Sequence, residues 1–178
     1  MKRFAMALGL AGLLAACAHT RNELPTQSGV NLQKYAGTWY EQARLPNRFQ
    51  KDCAGDVRAD YSLNSGDTIR VVNQCRTNDG NIKTAEGLGR LADGGAAADQ
   101  AKLEVRFAPK WTSWLPMVWG DYWIIRLSDD YQYSLVGTPD RKYLWVLSRQ
   151  EQADTRIVDD LLAYAGTLGF AVDEVLGR

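Results

Sequence analysis

The sequence is poor in the residues that most catalytic and cofactor chemistry uses. Its one histidine in 178 residues is His19, so a histidine-based triad, a histidine-ligated haem and a histidine-rich metal centre are not expected in the folded body. It has no phosphate-cradling or dinucleotide fingerprint and no metal-ligand spacing. Neither sign of charge is in excess: 21 Lys and Arg face 21 Asp and Glu, without the basic stripe that a nucleic-acid partner needs. Cysteine is limited to Cys17, Cys53 and Cys75. The apolar run at residues 4–16 is about 13 residues long, short of the roughly 20 that cross a bilayer as a helix. What remains for catalysis is carboxylate chemistry, with Glu41 and Asp121 as candidates. The leading expectation is a non-enzymatic binding protein without cofactor or metal.

The N-terminus reads as a targeting segment. Lys2 and Arg3 precede the apolar run, the arrangement of a secretory signal over residues 1–16. The sequence Leu14-Ala15-Ala16-Cys17 resembles the lipobox of bacterial lipoproteins, in which the cysteine thiol is acylated and becomes the first residue of the mature chain. A plain signal peptide with a chance cysteine and a short core helix are the alternatives. Ala18 stands where the inner-membrane retention signal of such lipoproteins has aspartate, so the resemblance implies an outer-membrane, periplasmic location. Three acyl chains on Cys17 would hold stably, where one binds marginally. Residues 17–30, polar and broken by Pro25 and Gly29, read as a lipidated tether. Without Lys2 and Arg3, 19 basic side chains face 21 acidic ones. In an oxidising periplasm Cys53 and Cys75 are expected to pair, which stabilises by about 3 kcal/mol in the chain-entropy model; two free buried thiols are the alternative.

From residue 37 onward, short alternating runs are separated by turn residues. Strands are expected at 37–45, 56–63, 68–76, 82–91, 102–107, 121–127, 131–137 and 142–148, with turns at 64–67 and 78–81 and a loop at 93–98. Residues 155–170 change period: Ile157, Val158, Leu161, Leu162, Ala165 and Leu168 follow helical spacing, with Asp154 or Thr155 as N-cap and Gly169 as terminator. A short strand at 171–175 is expected to follow. Eight closely spaced antiparallel strands suggest an up-and-down barrel or a sandwich. In a closed barrel the interior can hold a small ligand, and the helix packs on the outer wall. The fold class is all-β with one C-terminal helix.

Gly37-Thr38-Trp39 on the first strand resembles the G-x-W signature of lipocalins, and Arg149 follows the eighth strand where lipocalins carry the arginine that packs on that tryptophan. The segments TWYEQARLPNRFQ, ADYSL, AEG, AKLEVRFAP, GDYWII and YLWVLSR are similar to the bacterial outer-membrane lipocalins and the apolipoprotein D group. The resemblance extends from about residue 31 to 170 and implies a lipocalin domain over 31–178. It assigns Gly37, Trp39 and Arg149 to closure of the barrel base, beneath a turn at 31–36.

The resemblance, combined with strand alternation, also implies a ligand-facing set. Trp123 is expected inside with Asp121 and Ile125, leaving Tyr122 and Ile124 outside. Trp145 is expected inside with Tyr143 and Leu147, Tyr61 with Ala59 and Val57, and Asn73 as an inward polar group. Glu41 and Ala43 follow Trp39 inward in the absence of a bulge, and Tyr133 is chosen on the seventh strand. This wall suits a fatty acid or lysophospholipid; aromatics that simply fill a small barrel are the alternative. Loops at 46–53, 78–81, 108–120 and 138–141 are expected at the mouth. The 108–120 loop, with Trp111, Trp114 and Trp119, suits a lipid surface or the pocket lip; folding back as a lid, or contact with a second copy in a homodimer, are the alternatives. A filled-barrel interaction module and a scavenger of pigments or toxic amphiphiles are the competing functions.

Overall fold

The computed structural model describes residues 23–65, 68–92 and 100–177. The expected signal peptide, the acylated Cys17 and the first residues of the tether lie outside this range, as do the whole of the 93–98 loop and half of the 64–67 turn. Eight strands, β1 (Gly37–Arg44), β2 (Cys53–Leu63), β3 (Thr68–Thr77), β4 (Ile82–Leu91), β5 (Lys102–Arg106), β6 (Gly120–Leu127), β7 (Tyr133–Gly137) and β8 (Leu144–Ser148), form a closed barrel. Each pairs antiparallel with its sequence neighbour, and β8 returns to β1. On β4 only Leu88–Leu91 pair with β5, so the β3–β4 hairpin runs on past the neighbouring strand towards the mouth.

One end is stoppered. A single helical turn, α1 (Leu32–Tyr35), is capped by the side chain of Asn31, which accepts from the Lys34 amide. It lies over Trp39, which is fully buried, and the Trp39 Nε1 donates to the Tyr35 carbonyl at 2.8 Å. Gly37, between α1 and the tryptophan, has φ +100°, a conformation that L side chains rarely adopt.

The second helix, α2 (Thr155–Thr167), packs its buried face of Val158, Leu161, Leu162 and Ala165 on the outer wall. Asp154 caps it by accepting from the Arg156 amide, and Gly169, with φ +90°, lies just past its end. In place of a strand at 171–175 there is a turn of 3₁₀ helix, Val172–Glu174, and then a single bridge from Leu176 to Arg44.

The barrel wall therefore separates two apolar clusters. The inner one includes Trp39, Val71, Leu103, Tyr122, Ile124 and Leu147. The outer one joins α2 to Ala43, Ile125, Leu135 and Val146. This partition corrects three expected orientations. On β6 the faces are reversed: Tyr122 and Ile124 point inward, while Trp123 and Ile125 pack in the outer cluster. On β7, Tyr133 is outside, where its hydroxyl accepts from the Asp154 amide at the start of α2. On β1 a bulge intervenes between Glu41 and Ala43. The extra residue turns Ala43 outward and brings Arg44 inward, opposite Trp145.

Residues 23–30, expected as part of a tether, are instead packed on the barrel. From Glu23 onward the chain is docked on the barrel: Glu23 pairs with Lys102, Leu24 is 1% exposed in the outer cluster, and Val30 joins the inner one. Gln27 clasps β6, its amide donating to the Ile124 carbonyl and its Oε1 accepting from the Leu127 amide.

Candidate functional site

The inner wall is built by period-two alternation, so each strand contributes every second residue. At its base lie three phenols. The Tyr35 hydroxyl is 2.9 Å from that of Tyr122 and 3.1 Å from the Ser134 Oγ, and the Tyr61 hydroxyl is 3.0 Å from that of Tyr122. Burial pushes the Tyr35 phenol up to about 12 and raises Tyr61 and Tyr122 as well. The floor is thus a neutral, internally satisfied polar layer. Beside these phenols, Leu32, Tyr35, Tyr61, Ile69, Val71 and Leu103 border a cavity of about 10 Å³, room for one water molecule. Side chains therefore fill the base of the barrel.

The upper half differs. Asn73 pairs with Ala85 and Val71 with Gly87, which places Ala85 and Gly87 on the same inner face as Val71. Ala85 is nonetheless exposed, so solvent reaches the inner wall at that level. A Cβ on Gly87 would lie 2.8 Å from the ring of Phe107. The ring therefore lies against the inner face of β4 at the mouth, and it is half exposed. Across the barrel, Tyr143 stacks on Trp145 with ring centroids 6.0 Å apart, and Phe49 of the first loop lies 5.6 Å from Tyr143. The site is an apolar and aromatic cup above a filled floor.

Polar groups at the rim form one connected set. Glu41 Oε1 accepts from Arg44 Nη1 at 2.7 Å, and its Oε2 accepts from Gln50 Nε2 at 2.5 Å. The Gln50 Oε1 in turn accepts from Trp145 Nε1 at 3.0 Å and from Asn47 Nδ2 at 2.7 Å. Burial raises the Glu41 carboxyl above its ordinary range, opposed by Gln50 and Arg44. The disulfide between Cys53 and Cys75 fixes the far end of this loop to β3.

Of the residues expected to face ligand, Glu41, Tyr61, Asn73, Tyr143 and Trp145 line the inner wall or its rim, whereas Ala43, Trp123 and Tyr133 are on the outer face. Arg44, Gln50 and Tyr122 were not anticipated. A bulge reversed the first, a loop concealed the second, and residues 122–125 of β6 are apolar or aromatic on both faces.

The 108–120 loop is divided in its behaviour. Trp119 is an anchor: its ring centre lies 3.9 Å from the Arg90 guanidinium and 5.2 Å from that of Arg106, and its Nε1 donates to the Ser113 carbonyl. Trp111, Trp114 and Met117 project into solvent, 76%, 75% and 85% exposed.

At the closed end, Arg149 lies across Trp39 and donates to the carbonyls of Lys34, Tyr35, Ala36 and Thr38. With this closure in an eight-stranded barrel, comparison with known proteins is decisive: the family model of the lipocalin-like domain matches residues 30–177. The chain belongs to the lipocalin family. It is 38% identical to temperature-induced lipocalin-1 of Arabidopsis thaliana over 156 residues, covering 87% of this chain and 82% of that one. It is 32% identical to the outer membrane lipoprotein Blc of Escherichia coli (strain K12) over 153 residues, 84% of this chain and 78% of that one. Apolipoprotein D of Macaca fascicularis is 31% identical over 166 residues, 85% and 81% of the two chains. Among solved structures, insecticyanin from the tobacco hornworm Manduca sexta superposes with a TM-score of 0.67 at 20% identity, over 88% of this lipocalin and 84% of that chain, a likeness of fold.

Proposed function

We propose that this lipocalin is a non-enzymatic carrier of single-chain lipids, fatty acids or lysophospholipids, held at the outer membrane through an acylated Cys17. The observation that carries the reading is the upper barrel, an aromatic cup whose inner face is open to solvent at Ala85 and Phe107. An acyl tail lies against Val105, Phe107 and Trp145 and reaches down towards Tyr61, Val71 and Tyr122. Each methylene buried there contributes about 0.8 kcal/mol, less the entropy of ordering the tail. Asn73 and Tyr143 meet the polar head. Similarity to an outer membrane lipoprotein and to apolipoprotein D supports the reading.

Native mass spectrometry of the chain purified from its own cells tests it. A bound acyl species at one per barrel is expected; a bare chain that also takes up no added palmitate or lysophosphatidylcholine contradicts it. A second reading rests on the exposed Trp111, Trp114 and Met117. In it the loop docks to another copy, and the same spectrum would show a bare homodimer.

A further inference from the structure

The β1 bulge has placed a cation inside the barrel. Arg44 faces inward opposite Trp145, with its side chain 14% exposed. A guanidinium has five N–H donors in a fixed fork. Here Nη1 serves Glu41, while Nε is enclosed without a hydrogen-bond partner. Asn73, on the inner face of β3, likewise has its Oδ1 enclosed without a partner. Buried polar groups are normally satisfied, and those left open point to something that completes them.

We propose that Arg44 is the head-group site of this lipocalin, taking the carboxylate or phosphate of an anionic single-chain lipid in exchange for Glu41. This rests on the lipid-carrier reading and specifies its ligand. Glu41 acts as a resident stand-in for the ligand's anion. Its carboxylate occupies one arm of the guanidinium fork, and Gln50 holds it there by its other oxygen. A ligand anion can engage the open Nε together with Nη2, the side-on bidentate geometry that a guanidinium favours. Two anions on one buried cation leave an uncompensated charge, which is costly. Glu41, displaced, therefore takes up one proton from solvent, and the charge inside the barrel is unchanged. Arg44 carries the one charge acting on Glu41 among the described residues. Gln50 and Asn47 from the loop and Trp145 and Leu147 from β8 are neutral, and the other titratable groups on the inner face are the phenols of Tyr61, Tyr122 and Tyr143 and, at the mouth, Lys83, which pairs with Asp52.

The test uses a chain beginning at Ala18 and exported to an oxidising compartment; every contact described above lies within residues 23–177, so it retains the whole barrel. Laurate, dodecyl phosphate and dodecanol share one tail and differ in head. Calorimetric titration near neutral pH, in two buffers of different ionisation enthalpy, gives affinity and proton uptake. The anions are expected to bind about tenfold or more tighter than dodecanol, as befits a charge-assisted contact, with uptake of about one proton, and the better of the two identifies the head. In Arg44→Met/Glu41→Gln, which leaves no orphaned charge, the anions should fall to the level of dodecanol. Glu41→Gln should keep the anion preference and lose the proton uptake. If dodecanol binds as well as the anions, or if the double variant keeps the preference, the head-group assignment is overturned while the carrier reading stands. Anion binding without proton uptake overturns the exchange with Glu41. If none of the three probes binds, the carrier reading fails and this inference with it.

Discussion

Arg149 and Trp39 meet across the base of the barrel, the guanidinium carbon 3.9 Å from the centre of the indole ring. One nitrogen of that guanidinium also donates to three successive carbonyls, those of Lys34, Tyr35 and Ala36. A residue that follows β8 thus ties down the turn that precedes β1 and joins the first and last strands of the barrel around one tryptophan. Lysine keeps the charge but has no planar fork. Arg149→Lys should therefore destabilise by roughly 1.5–3 kcal/mol, the range for a charge-assisted hydrogen bond. Trp39→Ala should lose roughly 3–5 kcal/mol. Urea unfolding of the two variants checks both values.

The disulfide between Cys53 and Cys75 spans a separation of 22 residues and holds the rim loop to the wall. Replacing both cysteines by alanine should lower the unfolding free energy by about 3 kcal/mol in the chain-entropy model. Reduction of the native chain should give the same loss, measured by chemical denaturation with and without reductant.

Glu41 makes stability depend on pH in a defined direction. Burial raises its folded carboxyl above the ordinary 4.5, so the folded state binds this proton more tightly than the unfolded one. Its contribution therefore falls as pH rises from about that value to the folded value, and it is not regained above it. Glu41→Gln should flatten this part of the stability profile. Thermal unfolding of both proteins across the mildly acidic range is the measurement; an unchanged slope in the variant would count against the burial of a titrating carboxyl.

The rim loop predicts a division among tryptophans. Trp111 and Trp114 are exposed, and Trp119 is clamped between Arg90 and Arg106. If the loop dips into lipid, vesicles should shift tryptophan emission to the blue. Trp111→Phe/Trp114→Phe should abolish that shift and Trp119→Phe should keep it. No shift in the native protein would rule out the docking.

The barrel was legible in the sequence because its turns and alternation are regular, and β2 and β3 show why. Their outer faces carry Arg58, Asp60 and Arg70, while Ala59, Ile69 and Val71 are buried, so polarity orients them. β6 and β7 offer no such contrast. Residues 23–30 and α2 cover much of their outer faces, so residues 122–125 of β6 and 135–136 of β7 are apolar or aromatic on both faces, and a doubly buried stretch carries no polar face to set its direction. Nothing in these strands therefore opposes the family resemblance that puts Trp123 inside, or the choice of Tyr133. The bulge after Glu41 had no signal either, since one extra residue inverts every later side chain on the strand. Gln50 was hidden because a loop has no period from which to read its side chains.

Quenching by a fatty acid brominated along its tail tests most directly the claim that lipid lies inside the barrel. The bromine should quench Trp145, which faces inward, and leave Trp123 on the outer wall unaffected. The intensity lost to quenching should then drop in Trp145→Phe and stay the same in Trp123→Phe. Equal loss in both variants, loss confined to Trp123→Phe, or no quenching of the native protein at saturating ligand would contradict the account.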